Sequence, residues 1–191
     1  MRGDTTFESL LAAARSGAPA AWEDLYRAFA PKVLGYLRAR SARDPDDLAG
    51  EVFVQVVRDL DRFEGDERAF RAWLFTITHN RMLDDARARS RRPETIGAEE
   101  IVLEPGGDVE EEALAAMSEQ RILRMLRVLS EEQQAVLLLR LFGGLTVPQV
   151  AGILGKTDGA VKAAQHRAFQ TLRGVLESER IVREPGHAMH Q

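Results

Sequence analysis

The chain contains no cysteine, which excludes disulfides, thiolate nucleophiles and thiolate metal sites. No apolar run approaches the ~18 residues that a membrane helix requires, and the opening residues MRGDTTFESL hold no apolar signal core. The expectation is a cytoplasmic protein with no membrane insertion. Phosphate loops, nucleotide fingerprints and nucleophile triads are missing, and nothing alternates with the period of a strand. The carboxylate pairs Asp46-Asp47 and Asp84-Asp85 are adjacent in sequence. On a helix such neighbours point about 100° apart, and neither pair has a histidine at helical spacing. His187 and His190 read as solvated residues of a tail. The reading is therefore a protein that is not an enzyme, with no catalytic residue, no metal and no cofactor.

What the chain has instead is helical patterning. At 191 residues, 45% hydrophobic and 29% charged, it resembles an ordinary globular protein with room for one large or two small cores. Two are favoured. The net charge of −4 hides a lopsided layout, because residues 81–93 hold five arginines and two aspartates while 94–119 hold nine acidic residues and no lysine or arginine. Overall acidity therefore leaves a nucleic-acid partner open.

The organising stretch is 70–92, FRAWLFTITHNRMLDDARARSRR. As one helix it carries Phe70, Trp73, Leu74 and Ile77 on one side and Phe75, Met82, Leu83 and Ala86 on the other, more apolar surface than a single buried stripe. One set faces the core and the other is offered to a partner. The helix then turns basic with Arg81, Arg87, Arg89, Arg91 and Arg92. Aromatic surface followed by cations suits unstacked bases and their phosphates, although a central bundle helix with a solvated basic end has the same pattern.

Helical spacing predicts three helices before it. One spans 5–16 and carries Phe7, Leu10, Leu11 and Ala14; another spans about 20–40 and carries Trp22, Leu25, Phe29, Val33 and Leu37, with Pro31 expected to kink it. Asp44-Pro45 caps a third at 46–61, whose core stripe is Leu48, Val52, Phe53, Val56 and Leu60. Its other face shows Asp47, Glu51, Val54, Gln55 and Arg58, a solvated surface or a docking surface. EGDER is a short loop. Residues 5–92 thus form one all-α domain, 93–109 an acidic flexible linker interrupted by proline and glycine, 110–177 a second helical domain, and 178–191 a frayed tail.

In the second domain a helix runs to about Leu129, Ser130 and Gln133 form a capping box, and Gly143-Gly144 stop the next helix. Thr146 caps 147–154, and Thr157 caps a last helix from Asp158 to about Glu177. Ala151 and Gly155 mark a helix-turn-helix, small where helices touch and permissive where the turn needs positive φ. Val161, Ala164, Ala168, Leu172 and Val175 face inward. Gly159, Lys162, Ala163, His166, Arg167, Gln170 and Arg173 form an outer arc that suits a DNA groove, with Lys162 and Arg167 reaching phosphates and His166 or Gln170 base edges.

Together, DPDDLAGEVFVQVV, FRAWLFTITHNRMLDDARARSRRP and LRVLSEEQQAVLLLRLFGGLTVPQVAGILGKTDGAVKAAQHRA, in this order and spacing, resemble an extracytoplasmic-function (ECF) sigma factor of bacterial RNA polymerase, of the actinobacterial type. The resemblance covers roughly 7–176 and implies sigma region 2 followed by sigma region 4. It implies a promoter-specificity subunit that binds core RNA polymerase and directs initiation at dedicated promoters. Asp47, Leu48, Glu51, Val52, Phe53 and Gln55 match the surface that docks on the polymerase clamp helices. Phe63, Arg68, Phe70, Trp73, Ile77, Asn80 and Arg81 match the part that melts the minus-ten element and holds flipped bases, with Arg87, Arg89 and Arg91 on its phosphates. Thr157, Gly159, Lys162, Ala163, His166, Arg167 and Gln170 match the reader of the minus-thirty-five duplex, and the earlier region 4 helices the grip on the polymerase flap. The acidic linker would lie in the RNA exit path, and an anti-sigma factor would cover both domains. Gly50, Val57 and Ala164 depart from the commonest pattern. The rival reading is a helix-turn-helix repressor or activator that acts without being a polymerase subunit.

Overall fold

The computed structural model describes residues 6–91 and 121–183, with only the backbone described at 91 and 179–183. The acidic linker, the start of the second domain, Arg92, His187 and His190 lie outside the described residues, as does the side chain of Arg91.

Helix α1 is Phe7–Arg15, opened by Thr6, whose side chain accepts from the Ser9 N–H. Helix α2 is Pro19–Ala39, and Pro31 sits inside it without ending it. Asp44 caps α3, Pro45–Asp59, and a 3-10 turn follows at Leu60–Arg62. Helix α4, Glu67–Arg91, starts three residues before Phe70 because Asp66 Oδ1 accepts from the Ala69 N–H at 2.8 Å, so the expected EGDER loop shortens at its end. In the second domain α5 covers 121–127 and α6 is Glu131–Gly143 with the Ser130/Gln133 capping box in place. Helix α7 is Val147–Leu154. Helix α8, Asp158–Arg183, runs through the first part of the segment expected to fray.

Most of both apolar faces of α4 is covered, with Trp73 and Leu83 half-buried and Ala86 exposed. Phe70 and Leu74 pack among α1 to α3, and Phe75, fully buried, meets the Tyr36 ring edge-on at 5.8 Å between centroids. A Cβ placed on Gly143 at the end of α6 would lie 3.3 Å from the Phe75 ring, so the Phe75 part of the face expected to await a partner is covered by the chain's own second domain. The expected pair of cores merges into one continuous cluster that runs from Leu10 to Ala164 and includes Val136, Leu138, Leu139, Leu145 and Val150. The physical reason is area, since each large apolar side chain removed from water contributes about 1.5–3 kcal/mol, and neither domain covers its inward residues alone. Polar contacts also join the domains among the described residues. Arg40 Nη1 donates to the Glu131 carbonyl at 2.8 Å, and Gln149 Nε2 donates to the Arg68 carbonyl at 3.2 Å.

Candidate nucleic-acid interface

The aromatic end of α4 is built from the core outward. Phe7 and Phe29 lie 5.3 and 5.1 Å from Phe70 between ring centroids, Phe63 meets Phe70 edge-on at 5.5 Å, and Trp73 stacks on Phe63 at 5.1 Å and 26°. Trp73 is half-buried, while Phe70 is 1% and Ile77 6% exposed. In this arrangement Phe63, Phe70 and Ile77 are core residues, whereas Trp73 on α4 and Phe7 on α1 are the half-buried rings of the cluster. Burial wins because the inward face of a 3.6-residue helix takes every apolar residue that the neighbouring helices can cover. Arg68 and Asn80 are exposed.

The loop before α4 is held by a residue that the sequence pattern did not single out. Arg15 Nε donates to the Leu60 carbonyl at 3.3 Å, and its Nη2 donates to the carbonyl of Phe63. One guanidinium from α1 thereby fixes both ends of the turn that carries Phe63. A basic residue in the last turn of a helix was visible, but its distant partner was not.

Arg81 joins this helix to α3. Its Nε donates to Gln55 Oε1 at 3.0 Å, and its Nη1 lies 3.5 Å from Glu51. These residues, with Val54 and Arg58, line a shallow cleft of about 280 Å³. On α3, Asp47 and Glu51 are exposed and Gln55 is half-buried, but Leu48, Val52 and Phe53 are 8%, 0% and 9% exposed. Those three hold the helix in place and are withdrawn from the surface expected to dock. The accessible apolar atoms there belong to Val54, Val57 and Tyr26, at 59%, 54% and 51% exposure. The Tyr26 ring leans on Phe53 at 4.8 Å, a contact between α2 and α3 that no local spacing reveals. Further along α4, Arg87 pairs with Asp84 at 3.2 Å and Arg89 with Asp85 at 3.1 Å. The first pair is exposed on both sides and therefore weak, whereas Asp85 of the second is half-buried.

The helix-turn-helix follows the spacing closely. Gly155 takes φ +62°, a left-handed conformation that costs a side-chain-bearing residue about 1–2 kcal/mol. Lys156 N–H returns to the Ala151 carbonyl at 2.9 Å. Thr157 Oγ1 accepts from the Ala160 N–H at 3.2 Å and opens α8, and Lys156 Nζ pairs with Glu132 at 3.0 Å, tying the turn to α6. Val161, Ala164 and Ala168 are fully buried, whereas Thr157, Gly159, Lys162, Ala163, His166, Arg167 and Gln170 are all exposed. Ala164 therefore departs from the common pattern on the packing face, not on the outer arc. Between the domains lies an apolar groove of about 1030 Å³, walled by Pro31, Leu34 and Gly35 of α2 and by Phe142, Phe169 and Leu172 of the second domain. Among the described residues no group of histidine and carboxylate side chains is placed to hold a metal, and no helix is long and apolar enough to cross a membrane.

Comparison with known proteins follows this geometry. Residues 25–92 match the family model of Sigma-70 region 2 and residues 119–172 that of Sigma-70, region 4. The chain is 34% identical over 190 residues to the ECF RNA polymerase sigma factor ShbA of Streptomyces griseus, covering 93% of this chain and 100% of that protein. It is 32% identical over 181 residues to the ECF RNA polymerase sigma factor SigD of Mycobacterium tuberculosis, covering 91% and 84%. The solved structure of CnrH in complex with the cytosolic domain of CnrY superposes with a TM-score of 0.64 at 27% identity, covering 88% of this chain and 96% of that one. The sigma factor RpoE of Bartonella quintana, solved with the anti-sigma factor NepR, shares the fold at a TM-score of 0.61 and 22% identity, over 81% and 96% of the two chains. With both halves matched and relatives aligned over almost their whole length, the chain belongs to the extracytoplasmic-function sigma factors of bacterial RNA polymerase.

Proposed function

We propose that this sigma factor reads its promoters through two separate surfaces of one chain. Trp73, Asn80, Arg68 and the basic end of α4 take the separated minus-ten strand, and the exposed arc of α8 takes the minus-thirty-five duplex. The observation that carries this reading is the exposure of all seven arc residues from the capping Thr157 to Gln170 beside a helix face that is fully buried at Val161, Ala164 and Ala168. Base-edge donors and acceptors at His166 and Gln170, flanked by Lys162 and Arg167, suit a major groove. Asp47, Glu51 and Gln55 with Val54, Val57 and Tyr26 supply a mixed apolar and acidic surface for the polymerase clamp. Polymerase makes the RNA in the cytoplasm, and this subunit contributes recognition and strand capture without catalysis of its own.

An anti-sigma factor is the second partner of this reading. The apolar groove has one wall from each domain, so a helix laid into it holds both domains at once and favours the closed arrangement by mass action. The acidic linker takes the RNA exit path, where its charge imitates RNA.

Run-off transcription with sigma-free core polymerase on genomic fragments tests the proposal. New start sites are expected with the wild type, their number falling sharply with Trp73→Ala and their promoter choice weakening with Arg167→Ala. A protein that directs no transcription yet binds duplex DNA alone would instead be a conventional helix-turn-helix regulator.

A further inference from the structure

By family resemblance Arg81 belongs with the minus-ten residues, yet its guanidinium is turned to a different surface. The carboxylates nearest to it along α4 are Asp84 and Asp85, three and four positions on, where helical neighbours meet. Arg87 and Arg89 hold those two, and Arg81 reaches across to α3 instead. Its Nε donates to Gln55 Oε1 at 3.0 Å, and its Nη1 lies 3.5 Å from Glu51 Oε2. Both partners stand on the outward face of α3, one turn apart, and line the cleft beside that helix with Val54 and Arg58.

Arginine carries donors and no acceptor, so its bond to Gln55 decides which end of the amide is held. The carbonyl oxygen is taken, and the amide N–H donors are left for a partner. Unrestrained glutamine and glutamate side chains sample many rotamers, and a partner that must order them binds less tightly. Arg81 does that ordering within the chain. Arg58 also lines the cleft, so positive charge alone does not single Arg81 out; the bond to the amide does. Arg81 also lies eight residues beyond Trp73, about 12 Å along the helix axis.

We infer that Arg81 is a positioning residue of the polymerase-docking face, which fixes the Gln55 amide with its N–H donors free and holds the Glu51 carboxylate beside it. The pair then takes a partner oxygen on the amide and a partner cation on Glu51, while Asp47, exposed one turn earlier, adds negative charge. This deepens the sigma-factor reading and rests on it, and it moves Arg81 from the promoter strand to the polymerase.

The chain has no native cysteine, so a dye on the exposed position Ser178→Cys labels one site of the full chain, and titration with sigma-free core polymerase gives its affinity. Arg81→Ala and Gln55→Ala are each expected to weaken core binding on the order of five- to tenfold. The double variant is expected to lose no more than about twofold beyond either, because the two residues act as one unit. Arg81→Lys recovers little, since an ammonium does not reproduce the guanidinium fork that spans an amide and a carboxylate. With core polymerase saturated by each variant, permanganate reactivity of promoter thymines and the slope of log promoter affinity against log salt stay at wild-type values. Circular dichroism checks the fold, and if Arg81→Ala unfolds, Arg81→Lys and Gln55→Ala carry the same comparison. Wild-type core affinity in the folded variants, or losses that multiply in the double variant, would overturn the positioning role. A salt slope lowered by about 1 would return Arg81 to a promoter phosphate. If the wild type itself fails to bind core polymerase, the sigma-factor reading falls and the docking role with it, a result distinct from any difference among the variants.

Discussion

The Tyr36 hydroxyl lies 2.7 Å from Nδ1 of His79 between α2 and α4, inside the merged core. Burial pushes the Tyr36 phenol well above its ordinary range, against a smaller opposing effect of Arg40. The hydroxyl therefore stays protonated and donates, which leaves the proton of the neutral imidazole on Nε2. Burial first, and the Arg40 charge second, lower the His79 pKa to about 4 from 6.5.

This pair makes stability fall with acid. The unfolded chain takes up a proton near pH 6.5, and the folded chain resists it until pH about 4. The folded state is favoured above this window and loses on the order of 3 kcal/mol as pH falls through it. His79→Gln keeps a partner for Tyr36 and cannot titrate. Urea unfolding at pH 7 and pH 4.5 is expected to show a steeper loss for the wild type than for the variant; equal losses would remove His79 as the cause.

Trp73 is half-buried and stacked on Phe63, so its outer face is available to one base. Loss of such stacking costs about 1–3 kcal/mol, and Trp73→Ala is expected to lower open-complex formation on the order of 10- to 100-fold. Permanganate reactivity of promoter thymines reports this directly. Binding of the intact minus-thirty-five duplex should stay within about twofold.

Lys162 and Arg167 are exposed on the outer arc of α8. If each neutralises a phosphate, removing either lowers the slope of log affinity against log salt by about 1. Holoenzyme binding across a salt series with Lys162→Ala and Arg167→Ala measures this. An unchanged slope for both would place the arc away from DNA.

Gly155 holds φ +62° with no atom within 4 Å of an added Cβ, so its constraint is conformational and not steric crowding. Gly155→Ala is expected to destabilise the second domain by about 1–2 kcal/mol, with Gly155→Asn costing less because asparagine visits this conformation more readily. Thermal unfolding of the full chain reads both.

Arg15 is solvent-exposed yet spans the carbonyls of Leu60 and Phe63. Allowing for that exposure, Arg15→Ala is expected to cost about 1 kcal/mol and to loosen the turn before α4. Slower strand opening with unchanged core binding is the expected signature. Arg15→Lys should recover little, because one ammonium does not reproduce the fork.

Local patterns carried far on this chain. Period, caps and breakers placed α1 to α4 and α6 to α8 to within a few residues, apart from the extension of α8 to Arg183. They also separated the outer arc of α8 from its buried side, because both faces of one helix are written in its own spacing. On α3 spacing assigned Leu48, Val52 and Phe53 to the core, where they are buried, while the family resemblance matched the same three residues to a docking surface. There, matched motif positions included the residues that hold the surface as well as those that form it.

The amino-acid sequence by itself determined the helices, their caps, the αL turn at Gly155 and the order of the two domains, since each depends on residues a few positions apart. Tertiary structure alone decided which neighbours cover the two apolar faces of α4, that Arg15 ties down the loop before it, and that Phe142 rests on Gly35. Those outcomes depend on groups far apart in the numbering, 39 positions for Tyr36 and Phe75, 45 for Arg15 and Leu60 and 107 for Gly35 and Phe142. An apolar stripe states that a surface will be buried; the covering partner is chosen by the shape and area of every other surface in the chain.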